Sequence, residues 1–279
     1  MPMIEYFLRQ LIYPTLNPLY QLNTRHFCPT RLHRDARLML IGGIGAAAAW
    51  WLFVMLTSGT EASDVYLNVL AMLALASLMA TLAADVFYVM EAVKVVQQEL
   101  AQGTWDLLRL SHLPAQSIAS AKYALAQLRA WRVIALEFAI RAAVLTLIVL
   151  PFVRTGISLA LTLTITGVIL ASLYWLEVWW RARAVISLSL LSALLFNKPI
   201  NAMIVAALSA IGLHVAQAAF LATCGILLLL ALQSAFTLSF LCGMPLCALA
   251  ATGGTCFFYE RAAAMTLQRF VKRIGSAAA

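Results

Sequence analysis

A chain of 279 residues that is 63% hydrophobic and only 11% charged, with a mean hydropathy of +0.91, carries more apolar side chain than a soluble core of that size can hide. That composition excludes an ordinary water-soluble domain and makes the bilayer the expected solvent. The net charge of +8 calls for no nucleic acid, because basic residues gather on the cytoplasmic face of membrane proteins, where anionic headgroups also sit.

Residues 1–37 hold Arg9, Arg25, Arg31, Arg34 and Arg37 and no apolar core before a small-residue cleavage site, so no cleaved signal peptide is expected. Ile4, Phe7, Leu8 and Leu11 recur at helical spacing before Pro14, the pattern of a helix lying on the inner interface. A first span is predicted over 38–57 and a second over 65–90, joined by a short loop with the acids Glu61 and Asp64. The first span contains Gly42, Gly43 and Gly45 beside Ala46–Ala49, so one side is nearly bare and admits a second helix at close range, from this chain or across a dimer. A polar stretch over 91–132 follows, then spans over 133–153 and 156–176 divided by Pro151 and Arg154.

The apolar run from Pro199 to Phe258 is too long for one crossing. It divides into a fifth span near 199–217, a re-entrant or outer-surface helix near 220–232, and a sixth span near 235–257. Basic residues set the orientation. Five lie in 1–37, five in 91–132 (Lys94, Arg109, Lys122, Arg129, Arg132), three in 181–198 and four in the tail, which is seventeen of the nineteen. Those segments are therefore expected to be cytoplasmic, together with both termini. The expected architecture is an all-α integral membrane protein of six transmembrane helices with a re-entrant or outer helix before the last. It comprises an interfacial segment over 1–37, a transmembrane domain over 38–258 and a cytoplasmic tail over 259–279.

No Gly is followed by Lys, so there is no phosphate-binding loop, and no HExxH or GxSxG element is present. No enzyme activity is expected of this chain. His26, His33, His112 and His214 lie on different elements, and Cys28, Cys224, Cys242, Cys247 and Cys256 show no CxxC spacing, so neither a metal site nor a disulfide framework is indicated. Ionisable groups inside spans are costly and therefore suspect. Glu137 and Arg141 are four apart on the third span, the spacing of a helical ion pair, which either neutralises itself or serves gating or substrate contact. Asp85 is placed near the cytoplasmic end of the second span, His214 near the outer end of the fifth, and Glu177 beside Trp175, Trp179 and Trp180, an interfacial aromatic belt.

The most informative stretch is the polar island from Gln98 to Lys122. Gly103 breaks the helix that continues inward from the second span, Thr104 is a good N-cap, and Asp106 lies in the positive first turn that follows. Pro114 ends the short helix and opens the next. A helix over 105–113 exposing Trp105 and Leu108 is too short to stand alone and must dock, onto its own bundle or into a groove of another protein.

Here the letters matter. Glu99-x3-Gly103-Thr104-Trp105-Asp106-Leu107-Leu108-x5-Pro114-x3-Ile118-x3-Lys122 resembles the signature that type-2 ABC exporter permeases carry after their second span, and Leu190-Leu191-Ser192-Ala193 before Asn197-Lys198 is similar to the element before their fifth. The resemblance implies a multi-pass inner-membrane permease subunit that pairs with a second such subunit, as a homo- or heterodimer, and with a separate ABC ATPase that holds ATP and magnesium. It implies that Glu99, Gly103, Thr104, Trp105, Asp106, Leu107, Leu108, Pro114 and Lys122 form the coupling region, and no cofactor in this chain. In the N-terminal segment Pro14, Pro18 and Pro29 depart from the continuous connecting helix of that family. The alternative is a non-transporting structural subunit of a larger membrane complex.

Overall fold

The computed structural model describes residues 29–57, 62–105, 108, 113–155, 161–233 and 237–276. Six long helices account for nearly all of them: α1 (Pro29–Thr57), α2 (Ala62–Ala101), α3 (Ala115–Thr155), α4 (Leu161–Leu195), α5 (Pro199–Gln233) and α6 (Thr237–Ser276). The amphipathic N-terminal segment before Pro29 lies outside the described residues. Helices are what an apolar chain must form where water is absent, since only they satisfy every backbone group within one segment.

Helices of 35 to 41 residues, as α2 to α6 are, reach on the order of 50–60 Å at 1.5 Å per residue. That exceeds the roughly 30 Å of bilayer hydrocarbon, so each is longer than a single crossing needs. Three of them, α2 over Leu75–Ala101, α4 over Thr164–Leu195 and α5 over Pro199–Ile226, are long and apolar enough to span a membrane.

The division of the fifth apolar run does not appear. α5 is one unbroken helix from Pro199 to Gln233, where a span and a separate helix near 220–232 were expected. Its interior contains no proline and no charged residue, only Gly212 and Gly225 as weak helix formers, so nothing in its local chemistry breaks the backbone. Of the polar stretch over 91–132, residues 91–101 belong to the end of α2 and 115–132 to the start of α3.

The main core joins Tyr88, Val93 and Val96 of α2, Ile134 of α3, Val178, Ile186 and Leu190 of α4, and Phe270 and Ile274 of α6. α5 enters through Ala202, Ala206 and Ala210, buried at every fourth position. Small side chains on one stripe let its backbone approach the core closely. Its opposite face shows Ile200, Ile204, Leu208, Ile211 and Val215, all exposed, which is the surface a lipid-facing helix presents. α1 lies along α3, and of its bare glycines Gly43 makes the close approach within this chain: a Cβ there would stand 2.7 Å from the Ala139 carbonyl oxygen. Gly42 and Gly45 face open space.

Candidate functional site

Two groups of polar residues are assembled by this frame. The first is the island itself. α2 ends because Gly103 takes φ +68°, a left-handed conformation that costs side-chain-bearing residues but not glycine. The Thr104 hydroxyl turns back onto α2 and donates to the Glu99 carbonyl at 3.3 Å. Glu99 and Lys122, one from each side of the turn, form an ion pair, with Lys122 almost wholly buried. The carbonyl of Pro114 accepts from the amides of Ser117 at 2.8 Å and Ile118 at 3.3 Å, and so opens α3. Gln97 donates to the carbonyls of Ala193 at 2.8 Å and Phe196 at 2.9 Å, tying the end of α2 to the turn between α4 and α5.

Trp105 departs from expectation. It is 6% exposed and belongs to the same core cluster as Phe270 and Ile274, so it docks onto its own bundle and offers no outward face. An indole buries too much apolar surface to stay in water when a core lies within reach. Leu108 is half-buried. Asp106, Leu107 and the expected helix through 109–112 lie outside the described residues.

The second group was read from the sequence only in fragments. Ser77, Thr81, Asp85 and Tyr88 recur along one face of α2, Glu137 and Arg141 are one turn apart on α3, Glu177 and Arg181 on α4, and His214 and Gln217 on α5. These faces meet near the middle of their helices. Starting at α5, His214 Nε2 meets Asp85 Oδ2, and Asp85 Oδ1 accepts from Arg181 at 2.7 Å. Arg181 also reaches Glu137, whose Oε1 is shared with Arg141 at 3.1 Å. Arg141 donates to Glu177 at 2.8 Å, Glu177 accepts from Gln217 at 2.8 Å, and the path is back on α5, three residues from its start.

Hydroxyl groups complete this ring. Tyr88 donates to Glu137 at 3.1 Å, Thr81 to the same carboxylate at 3.3 Å, and Tyr259 of α6 to Gln217 at 2.5 Å. The Arg141 guanidinium carbon also stands 4.7 Å from the centre of the Tyr174 ring. Such charges persist in an apolar bundle only because each has an opposite partner and further hydrogen bonds. The Nε atoms of Arg141 and Arg181 are buried without a hydrogen-bond partner among the described residues.

Above the ring lies a cavity of about 1060 Å³. Thr81, Arg141, Glu177, His214 and Gln217 form its polar floor, and Leu78, Leu82, Val144, Leu145, Ile148 and Val168 stand among its apolar walls. A wide space with apolar walls and a few convergent polar groups is the usual form of a small-molecule site.

Several sequence expectations change here. Arg181, counted among the cytoplasmic basic residues, is 0% exposed inside the ring, which lowers that count from seventeen to sixteen. Asp85 is buried instead of reaching an interface, His214 is its partner, and Glu177 faces the cavity. The tryptophans beside it pack inward: Trp179 is buried, and Trp175 meets Phe138 edge-on at 5.0 Å. Glu137 and Arg141 do pair, but as two links of seven. The signal that finds the ring is polar periodicity along α2 and the matching four-residue spacing of Glu177 and Arg181, both visible once all four helices are laid side by side.

Elsewhere Arg183 pairs with Glu260 at 2.5 Å and donates to the Tyr123 hydroxyl at 3.3 Å. Burial pushes the Tyr123 phenol above its ordinary range, so it stays neutral and acts as an acceptor there. Among the described residues no group of three or more His, Cys, Asp or Glu side chains is placed to hold a metal ion. Comparison with known proteins finds no family model, no curated protein and no solved structure that matches this chain.

Proposed function

We propose that this chain is the membrane-spanning permease subunit of an ABC-type exporter, with six crossings, both termini cytoplasmic, and ATP hydrolysis carried out by a separate subunit docked at the 99–122 region. The observation that carries this reading is the clasp between Glu99 and Lys122. The first and last residues of the motif are held together, one on α2 and one on α3, so the ends of these two helices are tied to each other. Movement imposed on the 99–122 region is passed directly into α2 and α3, the two helices that bear Asp85 and Glu137 of the ring. Rigid helices joined by a short closed turn are suited to transmit such displacement.

The test is whether an ATPase co-purified with this chain is stimulated by it in lipid. Leu108→Asp is expected to abolish that stimulation while leaving the chain folded, because an acid placed on a half-exposed leucine of the turn opposes docking in an apolar groove. Undiminished stimulation in Leu108→Asp, or the absence of any ATPase activity associated with the chain, sinks the proposal.

A further inference from the structure

Charge balance at the cavity floor carries one more step. The ring holds three carboxylates, Asp85, Glu137 and Glu177, and two guanidiniums, Arg141 and Arg181. With neutral His214 the ring has one negative charge in excess, and with protonated His214 it is balanced. An uncompensated charge in an apolar bundle is costly, so a second way of balancing it is favourable wherever one can enter. The cavity supplies the entrance, since Glu177 and His214 are both on its floor and both retain some exposure.

We infer that the cavity binds a lipophilic monocation, an apolar body carrying a single positive charge, and that this ligand and the proton on His214 are alternatives. The walls accept the apolar body. The charged centre sits against the floor, where Glu177 and the excess negative charge attract it. An anion has no comparable place. Arg141 is already engaged by Glu137, Glu177 and the Tyr174 carbonyl, and Arg181 is fully enclosed by Asp85, Glu137 and the Thr81 carbonyl.

His214 meets Asp85 directly, and the other charged and titratable groups of the ring and the cavity around it are Tyr88 from α2, Glu137 and Arg141 from α3, Tyr174, Glu177 and Arg181 from α4, and Tyr259 from α6. Among these side-chain types only the imidazole ordinarily changes charge between pH 5 and 8. Cation binding to the protonated form therefore expels that proton, and acid conversely expels the cation, by the reciprocity of linked equilibria. The site stands whether or not the chain couples to an ATPase, so its test is independent of the permease reading.

The experiment uses the purified full chain in lipid nanodiscs, with radiolabelled tetraphenylphosphonium as the probe, its near-isosteric anion tetraphenylborate as the control, and empty nanodiscs as the partition background. Tetraphenylphosphonium is expected to bind saturably, and its affinity to fall as the pH is lowered from about 8 to about 5, by up to roughly tenfold per pH unit where one proton and the cation exclude each other. Tetraphenylborate is expected to show partition only. His214→Gln should keep cation binding and lose the pH slope, and Glu177→Gln should weaken binding by at least tenfold. Saturable binding of the anion as tight as that of the cation, a pH-independent cation affinity in the unaltered chain, or a retained slope in His214→Gln overturns the inference. If Glu177→Gln does not fold, the His214→Gln series decides alone.

Discussion

Arg181 and Asp85 are ninety-six positions apart and meet at 2.7 Å inside the bundle. Both are buried, and Arg181 simultaneously holds Glu137. Removing the guanidinium therefore takes a cationic partner from two buried carboxylates at once. Arg181→Ala is expected to cost about 3–5 kcal/mol, the usual penalty for breaking a buried pair from one side. Arg181→Ala combined with Asp85→Ala should cost less than the sum of the two singles, because groups in one network do not add. Thermal unfolding in detergent, followed by size-exclusion of the heated sample, measures both. Strictly additive losses would show that the pair is not coupled.

Gly43 and Gly45 are chemically identical and two positions apart, yet they face different surroundings. Because a Cβ at position 43 meets the Ala139 carbonyl oxygen at 2.7 Å, Gly43→Leu must push α1 off α3 and lose on the order of 1–3 kcal/mol, as overpacked interfaces do. Gly45→Leu meets nothing within 4 Å and should leave the melting temperature within error of the unaltered chain. Equal effects at the two positions would mean that the α1–α3 contact is misplaced.

The clasp at the turn makes a prediction about orientation as well as energy. Lys122→Ala leaves Glu99 facing a buried site without its cation, and Glu99→Ala does the reverse, so each single change should destabilise the turn. Exchanging the two, as Glu99→Lys with Lys122→Glu, should recover part of the loss, with a coupling of roughly 0.5–3 kcal/mol in the double-mutant cycle. Hydrogen exchange of the amides at the start of α3 gives the local readout. If the exchanged pair recovers nothing, the contact matters by side-chain identity and not by charge.

Trp105 and Leu108 should separate folding from docking. Trp105→Ala empties a core position shared with Phe270 and Ile274 and should cost about 3–5 kcal/mol, lowering stability whether or not any partner is present. Leu108→Asp should change the melting temperature little in the isolated chain. A stable Trp105→Ala protein would show that the indole is not part of the core.

Much of the frame was legible from the letters because the strongest local signals in this chain are physical extremes. Gly103 stands where the backbone needs a positive φ, Pro114 where an amide is dispensable, and Glu137 and Arg141 at the spacing of one helical turn. The ring was not legible as a whole, since its links cross between helices and no local rule says which faces meet. Arg181 illustrates the difficulty. Near Arg183, after a run of tryptophans, it reads as the basic edge of a loop, and only the continuation of α4 to Leu195 turns it into an interior residue. The expected break in α5 failed for the opposite reason. It came from counting crossings against chain length, while the residues between Pro199 and Gln233 contain nothing that stops a helix.

α5 is the least self-buried of the three described helices long and apolar enough to cross a membrane, and at mid-length it is tethered to the charged interior through His214 and Gln217, three residues apart. A rigid helix cannot release one of these side chains and keep the other for long. Departure leaves Asp85 and Glu177 each short of a partner in the same instant, and return satisfies both together. The two contacts therefore hold α5 to the charged interior as a pair, and a change that frees one of them is expected to weaken the hold of the other.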